Sequence, residues 1–151
     1  MPWGDYETIS PDLEIEGDDV RALINHDTTL VIGRTLANTL TLERRSDGEW
    51  GTILVNPKDT DAMNCHARVE RGDVSQCSFG FDILDEETEF LEDGTIHWTI
   101  KKIRLYEVSV CTFPAYEDTG VKAREANANE LRQKRVEAVR ESLMAKLKGV
   151  K

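Results

Sequence analysis

Ser78 stands in the segment Ser75-Gln76-Cys77-Ser78-Phe79-Gly80-Phe81-Asp82-Ile83. Strand alternation would put Cys77, Phe79, Phe81 and Ile83 on one face and Gln76, Ser78, Gly80 and Asp82 on the other. The apolar set reads as the core face, so Ser78 points away from it, and Gly80 leaves room beside it for an approaching backbone. Ser75 shares the core face and is the weaker candidate. A serine hydroxyl becomes a useful nucleophile only when a base takes its proton, and histidine titrates in the range where that is needed. The chain has three histidines. His66 lies on the apolar stripe of a predicted helix, where packing is the simplest role, and His97 follows a turn beside Trp98, where a surface role is. His26 ends a strand, the kind of position where sites are built.

A third group comes from the last strand, whose alternation places Ile103, Leu105, Glu107, Ser109 and Cys111 together. A carboxylate in so apolar a row needs hydrogen-bond donors, and a histidine that becomes charged is a suitable one. The opposite assignment turns Lys102, Arg104 and Tyr106 inward. Ser, His and Glu are common residues, and the chain lacks the Gly-x-Ser-x-Gly pattern of a nucleophile elbow.

The elements that would position these groups follow from the pattern. Strands are predicted at 20–25 and 30–35 with a turn at Asp27-Thr28-Thr29, and at 39–44 and 50–55 around Asp47-Gly48, a strong hairpin signal. Val20, Ala22 and Ile24 are the expected inward residues of the first. Ala62, Cys65, His66 and Val69 then recur at helical spacing, with Asp59 or Thr60 to cap the start and Gly72 to end it. Strands at 75–84 and 95–112 flank a turn at Glu92-Asp93-Gly94, and Pro114 closes the last. From Glu125 the chain is rich in helix formers, and Val136, Val139, Leu143, Leu147 and Val150 make an apolar stripe that must be buried against something. Asp118 to Glu130 reads as a polar connection to that helix.

With 151 residues, the chain fits one domain plus a tail. Its formal net charge of -10 argues against binding a phosphate backbone. Residues 125–151 hold seven Lys and Arg against four Asp and Glu, a tail of +3, which by subtraction leaves the body at -13. Apolar runs such as Leu30 to Ile32 are far too short to span a bilayer, and the acidic N-terminus lacks a signal-peptide layout, so a soluble intracellular protein is expected. Cys65, Cys77 and Cys111 lack metal-ligand spacing and are expected as free thiols, with no metal or other cofactor.

Four ordered blocks resemble the signature of the phage prohead (capsid maturation) protease family: 19–27 ending in Asn25-His26-Asp27, Ile32-Gly33-Arg34-Thr35, 72–81 around Cys77-Ser78-Phe79-Gly80, and 105–116 around Glu107-Val108-Ser109. The resemblance implies an α+β fold related to the herpesvirus maturation proteases, a small antiparallel β-barrel with flanking helices, here followed by the amphipathic helix. The expected division is a protease domain over 1–117 and a connection with helix over 118–151. The family usually has a strand region upstream of a block resembling 6–11, which this chain is expected to lack.

The resemblance further implies a serine endopeptidase with His26 and Ser78 in the motif positions and Glu107 as the acidic member. Gly33-Arg34 is a motif-based candidate for meeting the oxyanion. The implied partners are the major capsid protein with its scaffold segment, and the chain itself, through self-cleavage or as a homo-oligomer. Nucleic acid and membrane are not expected partners. The implied location is the assembling prohead in the host cytoplasm, or the bacterial cytoplasm for a prophage product. The 118–130 connection is the expected place of self-trimming. The competing class is a non-catalytic capsid assembly or scaffolding module that keeps the fold, with a soluble esterase more distant.

Overall fold

The computed structural model describes residues 4–114 and 118–148, with side chains described over 4–114 and 128–145. Strands β1 (Tyr6–Glu16), β2 (Arg21–Ile24), β3 (Asp27–Arg34), β4 (Leu40–Arg45) and β5 (Gly48–Ile53) precede helix α1 (Thr60–Arg71). Strands β6 (Gln76–Phe90) and β7 (Ile96–Cys111) and helix α2 (Asp118–Lys148) follow. The architecture is mixed α+β and mostly strand. A five-stranded sheet runs β1-β7-β2-β3, with β6 also paired to β7, and β4 and β5 form a separate two-stranded sheet. Among the described residues these pairings leave the sheet open and close no barrel. The contact between β2 and β7 is parallel, not antiparallel, with Arg21 opposite Glu107 and Leu23 opposite Ser109.

The chain divides into two compact units. The larger holds the strands between Glu7 and Glu89 and from His97 onward, together with α1. Its core joins both sheets: Val20 and Ala22 of the β2 region, Leu40 of β4 and Leu105 of β7, with Ile15, Ile32, Leu42, Ile53, Phe81 and Val108 packed around them. Each fully buried aliphatic side chain contributes on the order of 1.5–3 kcal/mol. Gly33 permits the close approach of the sheets, since a Cβ there would sit 3.0 Å from the Thr39 carbonyl and 3.2 Å from Ile53. Along β7 the buried positions are Ile96, Trp98 and Ile100, then Ile103, Leu105, Ser109 and Cys111. The burial phase thus changes at Lys101-Lys102, and because the alternation has period two, this shift puts Glu107 on the row of Ile103 and Leu105.

Helix α1 matches its sequence signals. The Asp59 carboxylate accepts the N–H groups of Asp61 and Ala62, and Gly72 ends the helix at φ 87°. Only Ala62 and Cys65 are buried, however, so His66 is exposed and not packed. A helix lying on the surface of a sheet covers one narrow stripe, and His66 falls beside it.

The smaller unit contains the residues up to Tyr6, the Phe90–Ile96 turn and α2. Arg132 pairs with Asp5 at 2.5 Å, the Arg135 guanidinium lies 4.4 Å over the Phe90 ring, and Lys134 meets Glu130 at 2.6 Å one turn apart. Helix α2 starts at Asp118, not Glu125, so the expected 118–130 connection is helical. Lys122, Ala123 and Arg124 are strong helix formers and, with Ala126 and Ala128 beyond them, outweigh the single Gly120. Val136, Val139 and Leu143 are exposed, against the expectation of a buried stripe. The two remaining stripe positions, Leu147 and Val150, lie outside the described side chains. Among the described residues no helix is long and apolar enough to cross a membrane.

Candidate active site

The β2–β3 connection is a two-residue turn at Asn25-His26, not at 27–29, with Ile24 opposite Asp27. Both turn residues are left-handed, φ 51° and 58°, the pair of conformations that matches the twist of a tight hairpin. Asparagine adopts them readily and histidine more readily than most residues. Asn25 is also tied across to the last strand: its N–H donates to the Val110 carbonyl at 2.9 Å, and its side-chain oxygen accepts the Thr112 N–H at 3.0 Å. Residues 27–29 instead form an irregularity in β3, where the Asp27 carboxylate accepts from the N–H and hydroxyl of Thr29.

β2 runs parallel to β7 as far as Ile24 opposite Val110, and the turn that follows brings His26 back onto Ser109 and Glu107. His26 Nδ1 contacts Glu107 Oε1 directly. The His26 backbone N–H donates to Ser109 Oγ at 3.0 Å, and the Ser109 hydroxyl donates to Glu107 Oε2 at 2.7 Å. Ser109 is buried, so one hydroxyl fixes both the turn and the carboxylate. With Nδ1–H directed at Glu107, the ring's other nitrogen, Nε2, is the acceptor. Nε2 is buried and has no hydrogen-bond partner.

Gly80 of β6 closes the other side of the carboxylate. A Cβ at that position would lie 2.6 Å from Glu107 Oε1, so the approach requires glycine. Ser78 lies two residues before Gly80, half-buried, and makes no side-chain hydrogen bond among the described residues. The structure therefore brings His26 and Glu107 together and leaves Ser78 nearby in sequence from Gly80 without a bond to either. The expected core face of β6 holds only at Phe81, which packs against the core: Cys77, Phe79 and Ile83 are exposed, while Ser78 and Gly80 of the other face are half-buried. Among the described residues β6 pairs only with β7, so no further strand supports a covering layer.

Arg34 is committed elsewhere, with Nε and Nη2 donating to the two oxygens of Asp19 at 2.7 Å each. That bidentate pair, with Arg21 in support, holds the Asp19 carboxyl below its ordinary range. Burial pushes the Cys111 thiol up, with smaller contributions from Cys77 and Glu107, and burial likewise raises Cys65. All three cysteines are free. Ser109 had no assigned role in the sequence. Its signal was the i, i+2 spacing from Glu107 on one strand face.

An imidazole anchored through Nδ1 by a carboxylate, with Nε2 open, is the proton acceptor that nucleophilic hydrolases use. The class is matched by sequence comparison: a model of the caudovirus prohead serine proteases matches residues 10–134, and the chain belongs to that family. Over 69 residues it is 33% identical to the prohead protease of Enterobacteria phage HK97, an alignment covering 46% of this chain and 30% of that protein. The chain thus spans under a third of the relative's length. No solved structure matches it.

Proposed function

We propose that the chain carries the active site of a serine endopeptidase acting in prohead maturation, with Ser78 as nucleophile, His26 as general base and Glu107 as the group that orients His26. The observation that carries this reading is the buried, unpartnered Nε2 of an imidazole whose Nδ1 is held by Glu107. Ser78 Oγ attacks the peptide carbonyl as His26 Nε2 takes its proton. The tetrahedral intermediate expels the amine, which leaves with that proton, and an acyl-enzyme remains. Water, deprotonated by the same nitrogen, then releases the acid and restores Ser78. Glu107 stabilises the charged imidazole during both steps.

Family membership supports substrates in the assembling prohead of a host cell: the scaffold segment of the major capsid protein, and the enzyme itself. Self-cleavage within 118–130 loses its original support, because that backbone is helical and a protease binds extended chain. On the same reading, the two sheets around one core are an opened relative of the barrel of the herpesvirus maturation proteases.

The non-catalytic assembly module is favoured by one observation, the absence of a hydrogen bond from Ser78 to His26. Catalytic hydrogen bonds often tighten only once substrate is bound. Labelling with a fluorophosphonate separates the readings, because only an activated serine reacts. Modification of wild type at Ser78, lost in Ser78→Ala and His26→Ala, is the expected result. No labelling of the wild-type chain, or labelling that survives His26→Ala, would overturn the triad.

A further inference from the structure

The larger unit contains an open cavity of about 670 Å³ whose wall is mainly apolar, with Glu49, Ser78 and Ser109 as its polar members. Ile9 of β1, Leu42 of β4, Trp50 and Gly51 of β5, and Phe79 of β6 line it, and so does Ser78. Its volume falls in the range of ligand pockets, roughly 300–1,000 Å³. Ile9, Trp50 and Phe79 are each about two-fifths exposed, so large apolar side chains face water around its mouth. Such surface is costly to leave open and gains from being covered.

Two further features say what covers it. Among the described residues β6 is hydrogen-bonded on one side only, to β7, and an unpaired strand edge accepts an extended polypeptide as an added strand. Alternate side chains of such a strand point to the same face, so a residue next to the one attacked by Ser78 can reach the cavity. Beyond Ser78 the strand is acidic, with Asp82, Asp85, Glu86, Glu87 and Glu89, which disfavours an acidic segment along the same edge.

We propose that this cavity is the specificity pocket of the enzyme, taking one large aliphatic or aromatic side chain of an extended substrate segment laid along β6, close to the scissile bond. The inference rests on Ser78 being the nucleophile. Selectivity of this kind arises because the pocket stays partly water-filled when a small residue occupies it.

Gly51 provides the test from the protein side. A Cβ there would meet Leu42 at 3.6 Å and Leu40 at 3.8 Å, ordinary contact distances, so a methyl group can be added to the cavity lining without a clash. The experiment uses the full 151-residue chain and peptides that differ only in carrying Ala, Leu, Phe or Asp at each position flanking the cut. At one position Leu and Phe are expected to exceed Ala in kcat/KM by at least about tenfold. Gly51→Leu brings that ratio close to one, and Gly51→Ala, the milder change should the first not fold, lowers it part of the way. Equal rates for Ala, Leu and Phe at every position, or a ratio that Gly51→Leu and Gly51→Ala leave untouched, would overturn the pocket. Fluorophosphonate labelling run alongside tells the two readings apart: labelled protein without apolar selectivity sinks the pocket and leaves the triad. Unlabelled protein sinks the triad, and anisotropy of fluorescein-labelled peptides bound to the same chain then decides the pocket, which fails unless the Phe peptide binds more tightly than the Ala peptide.

Discussion

Ser109 Oγ accepts the backbone N–H of His26 at 3.0 Å while its own proton goes to Glu107, so one buried hydroxyl sets the position of the imidazole and of the carboxylate that orients it. Ser109→Ala removes both bonds and leaves a buried N–H and a carboxylate oxygen without partners, a cost of about 1–3 kcal/mol for each group left unsatisfied. We expect Ser109→Ala to lower fluorophosphonate labelling at Ser78 and to lower the melting temperature. Ser109→Thr, which keeps the hydroxyl, recovers labelling in greater proportion than it recovers stability. Full labelling in Ser109→Ala would remove Ser109 from the positioning of the site.

Gly80→Ala tests the position of the carboxylate from the other side. The new methyl group meets the Glu107 carboxylate, the free end of a flexible side chain, so the clash is relieved by moving that carboxylate off His26. The melting temperature should fall no further than in Ser109→Ala, while labelling at Ser78 falls by about tenfold or more, the scale expected when a general base loses its orientation. Unchanged labelling kinetics in a folded Gly80→Ala protein would show that the Glu107 position does not matter.

His26→Ala and Ser78→Ala should be equally damaging to peptide cleavage, and the double variant no worse than either, because members of one catalytic unit do not add. Glu107→Gln keeps the shape of the side chain and should retain part of the activity. Multiplicative losses on combining His26→Ala with Ser78→Ala, measured as kcat/KM, would argue against a shared mechanism.

Acid stability reports on the Asp19–Arg34 pair. Folding lowers the Asp19 pKa, principally through the hydrogen bonds from Arg34. The stability this confers is complete above the unfolded carboxyl value of about 3.9 and is lost as the pH falls through the lower folded value. Thermal melts of wild type and Asp19→Asn should therefore differ at pH 6 and converge toward pH 2. A difference that stays constant over that interval would rule out this linkage.

The residues of the site were more legible than their arrangement. Glu107 stood out because a carboxylate in the alternating row of Ile103 and Leu105 needs a partner, and period two survives any later detail of pairing. Helix α1 was readable from Asp59 and Gly72, since caps are local chemistry. The turn was misplaced by two residues because Asp27-Thr28-Thr29 is the more usual turn composition, whereas Asn25-His26 is selected by the hairpin's demand for two left-handed residues. Strand β1 was not read at all, although Ile9, Leu13 and Ile15 alternate with acidic residues. Pro11 interrupts the alternation, and the position of β1 at the end of the sheet is where a strand tolerates proline. The parallel β2–β7 pairing and the exposure of Cys77, Phe79 and Ile83 on β6 depend on distant partners that no local pattern encodes.

The β2–β7 pairing also sets a time order. His26 and Glu107 are 81 positions apart in the chain, and their meeting requires a strand pairing that closes the intervening loop. Long-range parallel pairing is the slow part of folding, because chain entropy is lost before the contacts repay it. During synthesis the histidine leaves the ribosome well before the carboxylate, and the turn lacks its anchors until Val110 and Thr112 follow. Under the proposed triad, a nascent chain carrying His26 and Ser78 alone lacks the carboxylate that orients the base, so cleavage is expected only after Glu107 and Ser109 have emerged.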